Sequence, residues 1–500
     1  MKIKRITSLV LAWILLLSGC SNSTKMESNS QSETDIQAEE STQETLPIET
    51  LSADEVDDIP DSLKYDDMDI RFVIAEAFGS FSVDSIIAEE DDLGDPVHEA
   101  VFKRNHKVNE RLAVNITAAE VYGSTEFSQK IRNSVQSNSN DFDIIAATGF
   151  YNSGLAFDRI LYNLDNIDYI DTDKKYWGTD FINDFMLGDV KPWVTGDITL
   201  RYIGGTYAMF VNSALWEDHY TGENIYDVVN EGKWTLDALR AYTENIYYDK
   251  NADGKDDCDD IWGIISNGTH SIDGFAAGAL LKFSEKDDEG IPKITLPNEH
   301  TYNVLDKLFT VVYNDNTGFF QVGDNEVSVQ FAKGSAMFVP LRIYESGIDL
   351  RSMEDDFMII PMPKYDEAQP YYNSTTHDGL NVYGIPVTNE DPDIAGSVLE
   401  VMAAESYAMV TPVFYEVALK AKYVRDSQSG QMLDLIREHI SSDFAGLYSH
   451  SIQDITWRIR SFFQTGKRDY ASSLAKSQKT WDIVIKNPVK KIDEISDYGV

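Results

Sequence analysis

Short apolar runs alternate with amphipathic segments along the chain. The segment Met68–Glu76 mixes polar–apolar alternation with a continuous apolar run, which is typical of a strand buried on at least one face. Asp95 and Pro96 then provide a helix cap and a first helical residue, and apolar side chains recur at helical spacing as far as Leu112. A second short strand is predicted over Ala113–Thr117. The predicted order is therefore strand, helix, strand.

The same alternation continues with a predicted helix over Glu126–Gln136 and an apolar strand over Phe142–Ala147. Strands separated by helices of this length form mostly parallel sheets covered on both faces, so the pattern predicts an α/β fold of the doubly wound class. Further strands are predicted over Tyr207–Val211, Ser335–Val339, Phe357–Ile360 and Leu380–Ile385. Further helices are predicted over Trp234–Tyr248, Tyr302–Tyr313, Pro392–Ser406, Pro412–Ala421 and Gln431–Ser441.

The first twenty residues have the three parts of a secretory signal. A basic start precedes an apolar run from Leu9 to Leu17, and small residues follow before Cys20. The run is too short for a membrane-spanning helix, which needs roughly 20 apolar residues. Residues Leu17–Cys20 also resemble the bacterial lipobox, in which the cysteine is lipidated; the alternative is an ordinary signal peptide with an incidental cysteine. We expect 1–20 to be a lipoprotein signal peptide, and lipid on Cys20 to anchor the exported chain at the outer face of the cell membrane.

An acidic stretch follows the signal. From Ser21 to Asp61 there are twelve acidic residues, one basic residue and no aromatic side chain. Such a composition buries too little apolar area to offset the entropy of ordering the chain. We therefore predict that residues 21–65 are a disordered tether.

The overall charge excludes some classes of partner. Eighty-four acidic residues against 42 basic ones give a formal net charge of −42. Nucleic acid demands clustered lysine and arginine, and anionic lipid repels an acidic surface, so neither is an expected partner. With Cys20 lipidated, Cys258 is the one remaining cysteine, and no disulfide is expected within the mature chain.

Common catalytic motifs are absent from the sequence. It contains no Gly-x-Ser-x-Gly, no His-Glu-x-x-His, no Gly-x-x-x-x-Gly-Lys and no Cys-x-x-Cys. A glycoside hydrolase would need two carboxylates about 5 to 9.5 Å apart, a distance that spacing along the chain does not give. We expect no enzymatic activity and no required cofactor.

One loop has the spacing of a calcium site. Over Asp249–Asp260, oxygen-bearing side chains stand at positions 1, 3, 5, 9 and 12, with a glycine at position 6 and a backbone carbonyl at position 7. Position 12 is aspartate where an EF-hand has glutamate, and the shorter arm makes bidentate binding harder. The alternative is an acidic surface turn held by local hydrogen bonds. The predicted ligands of a structural Ca²⁺ are Asp249, Asn251, Asp253, Lys255 (through its carbonyl), Asp257 and Asp260.

Aromatic residues make up 11% of the chain, and several lie beside the ends of predicted strands. Sugars present C–H faces to aromatic rings and hydroxyls to carboxylates and amides. Open doubly wound sheets bind ligands beyond the carboxyl ends of their strands. The predicted ligand contacts at these ends are Phe78, Thr148, Tyr151, Tyr344, His377 and Asp378.

From about Met68 to the C terminus, the chain resembles the extracellular solute-binding proteins of ATP-binding-cassette importers, in the sugar-binding branch (family 1 type) that includes maltose-binding protein. The matching segments follow one another in the order typical of that family. They are Asp141–Ala146, Leu161–Asp165, Tyr207–Asn212, Gly232–Asp237, Phe331–Ala336, Ile360–Pro363 and Gly384–Pro386, the last leading into Pro392–Ala404.

The resemblance implies a two-lobed, type II periplasmic-binding-protein-like fold with the ligand between the lobes. Lobe 1 would comprise residues 66–203 plus 380–442, and lobe 2 residues 204–379 plus 443–500. Trp457 matches the region where an aromatic residue of the family stacks on the sugar.

The implied function is capture of a carbohydrate by a monomer that closes on it and delivers it to the membrane permease of the importer. The alternatives are a surface lipoprotein with glycoside hydrolase activity and a ligand-sensing partner of a membrane receptor.

Overall fold

The structure is a computed structural model that describes residues 52–76, 85–88, 94–313, 318–323, 326–420 and 427–496. The predicted signal peptide with Cys20, most of the predicted tether and Phe78 lie outside these residues. None of the helices within the described ranges is long and apolar enough to cross a membrane.

Twelve strands are found in the described part of the chain. In chain order they are β1 (Met68–Glu76), β2 (Val114–Gly123), β3 (Ile144–Thr148), β4 (Tyr207–Asn212), β5 (Tyr247–Tyr248), β6 (Ile261–Ser266), β7 (Ser284–Lys286), β8 (Pro292–Ile294), β9 (Phe319–Gln321), β10 (Ala336–Arg342), β11 (Phe357–Ile360) and β12 (Asn381–Gly384).

These strands form two main sheets and one hairpin. The first sheet has the order β12–β3–β1–β2, in which β1 is parallel to β2 and β3, and β12 is antiparallel to β3. The second has the order β11–β4–β10–β6–β5, with β9 also paired to β6, and its directions are mixed. The prediction of a mostly parallel sheet therefore holds for the first sheet and is wrong for the second. Apolar periodicity predicts a strand but not its direction in a sheet.

The helices surround the two sheets. In chain order they are α1 (Pro96–Leu112), α2 (Ser124–Gln136), α3 (Gly149–Asn152), α4 (Thr179–Phe185), α5 (Leu200–Gly204), α6 (Ser213–His219), α7 (Ile225–Asn230), α8 (Leu236–Thr243), α9 (His270–Gly278), α10 (Glu299–Tyr313), α11 (Val327–Ala332), α12 (Pro392–Glu405), α13 (Thr411–Lys420), α14 (Ser427–Glu438), α15 (Phe444–Leu447), α16 (Ile455–Thr465), α17 (Tyr470–Val484) and α18 (Lys486–Ser496). A π-helical turn, Ser406–Val410, joins α12 to α13.

Helix α1 forms as its sequence predicts. The Asp95 side chain accepts hydrogen bonds from the Val97 and His98 amides, Pro96 occupies the first turn, and the helix ends where Ala113 turns left-handed. The predicted helix Trp234–Tyr248 is instead divided. Helix α8 ends at Thr243, and β5 then pairs with β6, so sheet pairing prevails over helical periodicity in the last residues.

The end of the predicted tether packs against the folded domain. Arg111 donates to both carboxylate oxygens of Asp57 (2.6 and 2.7 Å), and the Lys174 ammonium lies 2.8 Å from Asp58. Ile59 is buried. The expectation of disorder is wrong for the described residues 52–65, because their carboxylates find cationic partners that composition alone does not reveal.

Two segments of chain connect the two sheets, and a third lies beside them. Helix α5 leads directly into β4, the segment 373–380 leads back into β12, and the segment 440–443 leads into α15. Thr206 and Thr376 form an antiparallel bridge, and Ser374 and Ile440 form a parallel one. Backbone bridges therefore hold these crossing segments side by side between the two sheets.

Candidate functional site

A cleft lies beside the crossing segments. It is lined by Phe150 after β3, Asp273 and Ala277 on α9, Asp378 on a crossing segment and Arg460 on α16, among others. Its empty space, including the open mouth, is about 890 Å³. The cleft combines an aromatic ring, apolar side chains and charged groups, as a site for a small polar solute requires.

Arg460 is the centre of the charged part of the cleft. Its Nε donates to Asp273 Oδ1 at 2.9 Å, and its Nη2 donates to Asp273 Oδ2 and, at 3.0 Å, to Asp378 Oδ2. The Arg460 side chain is 3% exposed, whereas the two carboxylates are 21% and 22% exposed. Burial alone lowers the pKa of Arg460, but the two carboxylates outweigh that effect, so the guanidinium stays charged. Each aspartate keeps part of its surface available to a ligand.

His377 stands beside this cluster as a neutral ring. Its Nδ1 accepts a hydrogen bond from the Gly379 amide at 3.0 Å, and burial lowers its pKa to about 3. The His270 ring lies 5.1 Å from His377 and 6.5 Å from Trp457. Trp457 is 39% exposed and lies under the Arg460 guanidinium, 5.1 Å from the ring centroid. The structure therefore brings together three of the predicted contacts, His377, Asp378 and Trp457.

Tyr344 lies next to the same cluster through Arg342. The Arg342 guanidinium is 4.8 Å from the centroid of the Tyr344 ring and pairs with Glu345 at 2.7 Å. Burial raises the pKa of Tyr344 to about 12. The Tyr344 hydroxyl is therefore neutral at physiological pH, and the residue is partly exposed, but it is not among the residues that line the cleft.

Thr148 and Tyr151 lie at the end of β3, on the other side of the cleft. Tyr151 packs edge-on against Phe150 with 5.0 Å between centroids, and against His450 at 5.9 Å, but it lines a neighbouring groove rather than the cleft itself. Thr148 is fully buried and pairs with Asn381 in the ladder between β3 and β12. Neither residue shares the cluster around Arg460.

Searches for relatives by sequence and by structure gave different results. The sequence matched no family model and no curated protein. The structure resembles a cyclo/maltodextrin-binding protein complexed with maltotetraose, with a TM-score of 0.52, 11% sequence identity, and coverage of 85% of this chain and 96% of the other. It is also similar to RafE from Streptococcus pneumoniae in its apo form, with a TM-score of 0.51, 11% identity and coverage of 84% and 99%.

An ABC substrate-binding protein from Listeria monocytogenes, in complex with cycloalternan, gives a TM-score of 0.50 at 11% identity, with coverage of 87% of this chain and all (100%) of the other. The fold is that of two-lobed solute-binding proteins. The fold class predicted from the sequence is confirmed, and the predicted resemblance is confirmed at the level of the fold.

Three residues of the site were not predicted from the sequence: Arg460, Asp273 and His270. The sequence contains a signal for Arg460, because a residue three positions after Trp457 lies on the same face of a helix as that tryptophan. Asp273 and His270 belong to α9, which was not predicted as a helix.

The loop Asp249–Asp260 lies between β5 and β6. Within the described ranges, no group of three or more His, Cys, Asp or Glu side chains is placed so that it could hold a metal ion. In the loop, the Lys255 ammonium lies 2.6 Å from Asp253 Oδ2. The predicted calcium ligands are therefore close in sequence and partly engaged with groups of the loop itself.

Proposed function

We propose that this chain is an exported, lipid-anchored solute-binding protein that captures a carbohydrate and delivers it to an ABC-type permease. The observation that carries the proposal is the cleft beside the crossing segments of a solute-binding fold, which is lined by the partly exposed carboxylates of Asp273 and Asp378 and by Arg460, with the exposed indole of Trp457 packed against that arginine. In such a cleft, Trp457 would stack on the C–H face of a sugar ring, and Asp273 and Asp378 would accept hydrogen bonds from its hydroxyls.

The proteins that share this fold support the choice of ligand class. Two of the solved structures described above are bound to oligosaccharides, namely maltotetraose and cycloalternan. Closure would follow from contacts of one ligand with both lobes, because a ligand shifts a conformational equilibrium only by its difference in affinity for the two states. The predicted lobes, 66–203 plus 380–442 and 204–379 plus 443–500, supply the two surfaces in this proposal.

The charged cluster favours binding over hydrolysis. Asp273 and Asp378 both bind Arg460, and although burial acts to raise the pKa of Asp378, the charged Arg460 guanidinium holds that pKa below its ordinary value. An acid catalyst of glycoside hydrolysis needs a carboxyl group with a raised pKa that can reach the leaving oxygen. Burial raises the pKa of Asp273, but its two oxygens are occupied by the guanidinium.

A thermal-shift screen of the full chain against linear and cyclic glucose oligosaccharides and raffinose-type sugars tests this proposal. We expect at least one saccharide to raise the melting temperature in a concentration-dependent way, with no product detected by chromatography after prolonged incubation. If no saccharide raises the melting temperature, carbohydrate capture is wrong. Release of shorter sugars would instead establish the hydrolase alternative.

Export and anchoring are tested separately. Cells grown with a labelled fatty acid should label the wild-type chain and not a Cys20→Ser variant. The absence of label from the wild-type chain would contradict the lipid anchor and leave sugar capture untouched.

Transport and sensing differ in the membrane partner. Deletion of the chain should abolish uptake of the identified saccharide if it serves a permease. Normal uptake with a lost transcriptional response would identify it as a sensing partner of a receptor.

A further inference from the structure

A groove adjoins the cleft at Phe150. The Phe150 side chain lines the cleft, and its ring centroid lies 5.0 Å from that of Tyr151 and 5.4 Å from that of His450. Tyr151 and His450 in turn line the groove, whose empty space, including the open mouth, is about 1160 Å³. The three rings therefore form an aromatic border that the cleft and the groove share. A chain of sugar rings that extends beyond the cleft would pass over this border.

The groove lies between segments that belong to different predicted lobes. Arg132, Tyr151 and Asp158 belong to predicted lobe 1, whereas His450 and Lys491 belong to predicted lobe 2. Helix α18, which carries Lys491, packs beside the turn that ends at Asp158. A ligand in the groove would contact both sides and so favour the arrangement in which they are close together.

Two cations share one carboxylate in this groove. Arg132 Nε donates to Asp158 Oδ2 at 2.7 Å, and the Lys491 ammonium lies 3.5 Å from Asp158 Oδ1. The side chains of Arg132 and Lys491 are each 35% exposed. Within the described residues, the two Nη atoms of Arg132 make no hydrogen bond, since its Nε is the atom that binds Asp158. The groove therefore has cationic donors that a ligand can reach.

The balance of charge in the groove is opposite to that of the cleft. Two cations and one carboxylate line the groove, whereas two cations and three carboxylates line the cleft. His450 lies 3.3 Å from Asp454, so even a protonated ring has a carboxylate of its own. The whole chain carries a formal net charge of −42, so an excess of positive charge is a local property of this groove. Such a groove attracts an anionic group, and the cleft beside it does not.

We propose that the groove binds an anionic substituent of an oligosaccharide, either a carboxylate or a sulfate ester, while neutral rings of the same ligand occupy the cleft. This inference rests on the proposed function, because it concerns a second part of the same ligand. The anion accepts hydrogen bonds from the Arg132 Nη atoms, whose planar arrangement suits such groups, and from the Lys491 ammonium. The exposed hydroxyls of Thr125 and Ser451, which line the same groove, are suited to sugar hydroxyls.

Titration calorimetry of the full chain with matched pairs of short oligosaccharides tests the proposal. One arm compares oligogalacturonates and glucuronate-bearing xylo-oligosaccharides with their methyl esters, which lack the charge. The other arm compares 6-O-sulfated with unsulfated cello-oligosaccharides. We expect at least one acidic sugar to bind about tenfold more tightly than its neutral partner at low salt, and the preference to shrink at about 0.5 M salt.

The two arms distinguish the chemistry of the anion. A preference in the first arm identifies a carboxylate, and a preference in the second identifies a sulfate ester. Equal affinities within every pair, or no binding of any acidic sugar, would overturn the inference. The neutral saccharides of the thermal-shift screen decide separately whether carbohydrate capture itself is wrong.

Variants of the two cations assign the preference to the groove. Arg132→Gln should reduce the ratio of acidic to neutral affinity to about twofold or less, because it removes the charged donors. Lys491→Gln should reduce the same ratio, and this partly exposed residue gives an answer even if Arg132→Gln does not fold.

Lys130→Gln is the matched control. Lys130 is exposed on the same helix as Arg132, lies over the Tyr122 ring and does not line the groove. This variant should keep the full preference for the acidic sugar. A preference that survives both Arg132→Gln and Lys491→Gln, or one that Lys130→Gln reduces equally, would overturn the assignment to this groove.

Discussion

Arg460 is the residue whose removal should have the largest effect on the cleft. It is nearly inaccessible to solvent and binds two carboxylates that come from different parts of the chain, Asp273 on α9 and Asp378 on a crossing segment. Replacing it with alanine leaves both carboxylates without their cation. It also removes the cation that lies against Trp457.

The magnitude follows from the burial of the three groups. Removing one partner of a buried, hydrogen-bonded ion pair costs about 3 to 5 kcal/mol. Each aspartate here keeps about a fifth of its side-chain surface exposed, so water partly replaces the guanidinium, and we expect the lower end, about 3 kcal/mol. A loss of this size changes the folding equilibrium more than a hundredfold and is a large fraction of the 5 to 15 kcal/mol typical of a domain.

Urea unfolding of Arg460→Ala, followed by circular dichroism at several pH values, measures this loss. Without the guanidinium, burial raises the pKa of both carboxyl groups above their unfolded-state values. The folded variant then binds protons more tightly than the unfolded chain, so its stability should rise as the pH falls from about 7 toward 4. The Arg460→Met/Asp273→Asn/Asp378→Asn triple variant should recover most of the loss, because it leaves no buried charge.

Arg458→Ala is the matched control, since this arginine lies on the same helix but is exposed. It should change the unfolding free energy by less than about 0.5 kcal/mol. The reasoning is refuted if Arg460→Ala loses no more than this control, or if its loss is the same at pH 5 and pH 8.

Three further perturbations have equally definite outcomes. Burial raises the pKa of Glu400 to about 7, so the folded state binds its proton more tightly than the unfolded chain, and wild-type stability should fall as the pH rises from about 4.5 to 7. In urea unfolding, the stability of Glu400→Gln should lack this dependence on pH, and an identical dependence would contradict the assignment. Gly196 has a φ of 156°, and a side chain there would collide with a backbone carbonyl, so Gly196→Ala should lower the free energy of unfolding by about 2 kcal/mol or more. Gly222 is left-handed but lies in open space, so Gly222→Ala should lower it by about 1 kcal/mol, and equal losses in the two variants would exclude the collision. Trp457→Ala should weaken the best saccharide about tenfold by calorimetry, and the exposed Tyr248→Ala should not; unchanged affinity would remove Trp457 from the site.

The local elements of the first sheet are determined by the sequence. Met68–Glu76 carries an apolar run, which is typical of a strand in a covered sheet. The cap at Asp95 defines the start of the next helix. The motif order that resembles solute-binding proteins follows from the same local patterns. Each of these features depends on residues close together in the chain, so no distant contact is needed to predict it.

The rest is decided by contacts between residues far apart in sequence. Arg460 meets Asp273 and Asp378 across separations of 187 and 82 positions, and Arg111 orders Asp57 across 54, although the composition around Asp57 favours disorder. The strand directions in the second sheet and the division of the Trp234–Tyr248 helix likewise depend on pairing partners elsewhere. Propensity and periodicity contribute a few tenths of a kcal/mol per residue, whereas an ion pair or a sheet ladder formed in the folded protein outweighs that preference. For this reason the sequence predicts the elements, and the tertiary structure decides which charged groups share the cleft.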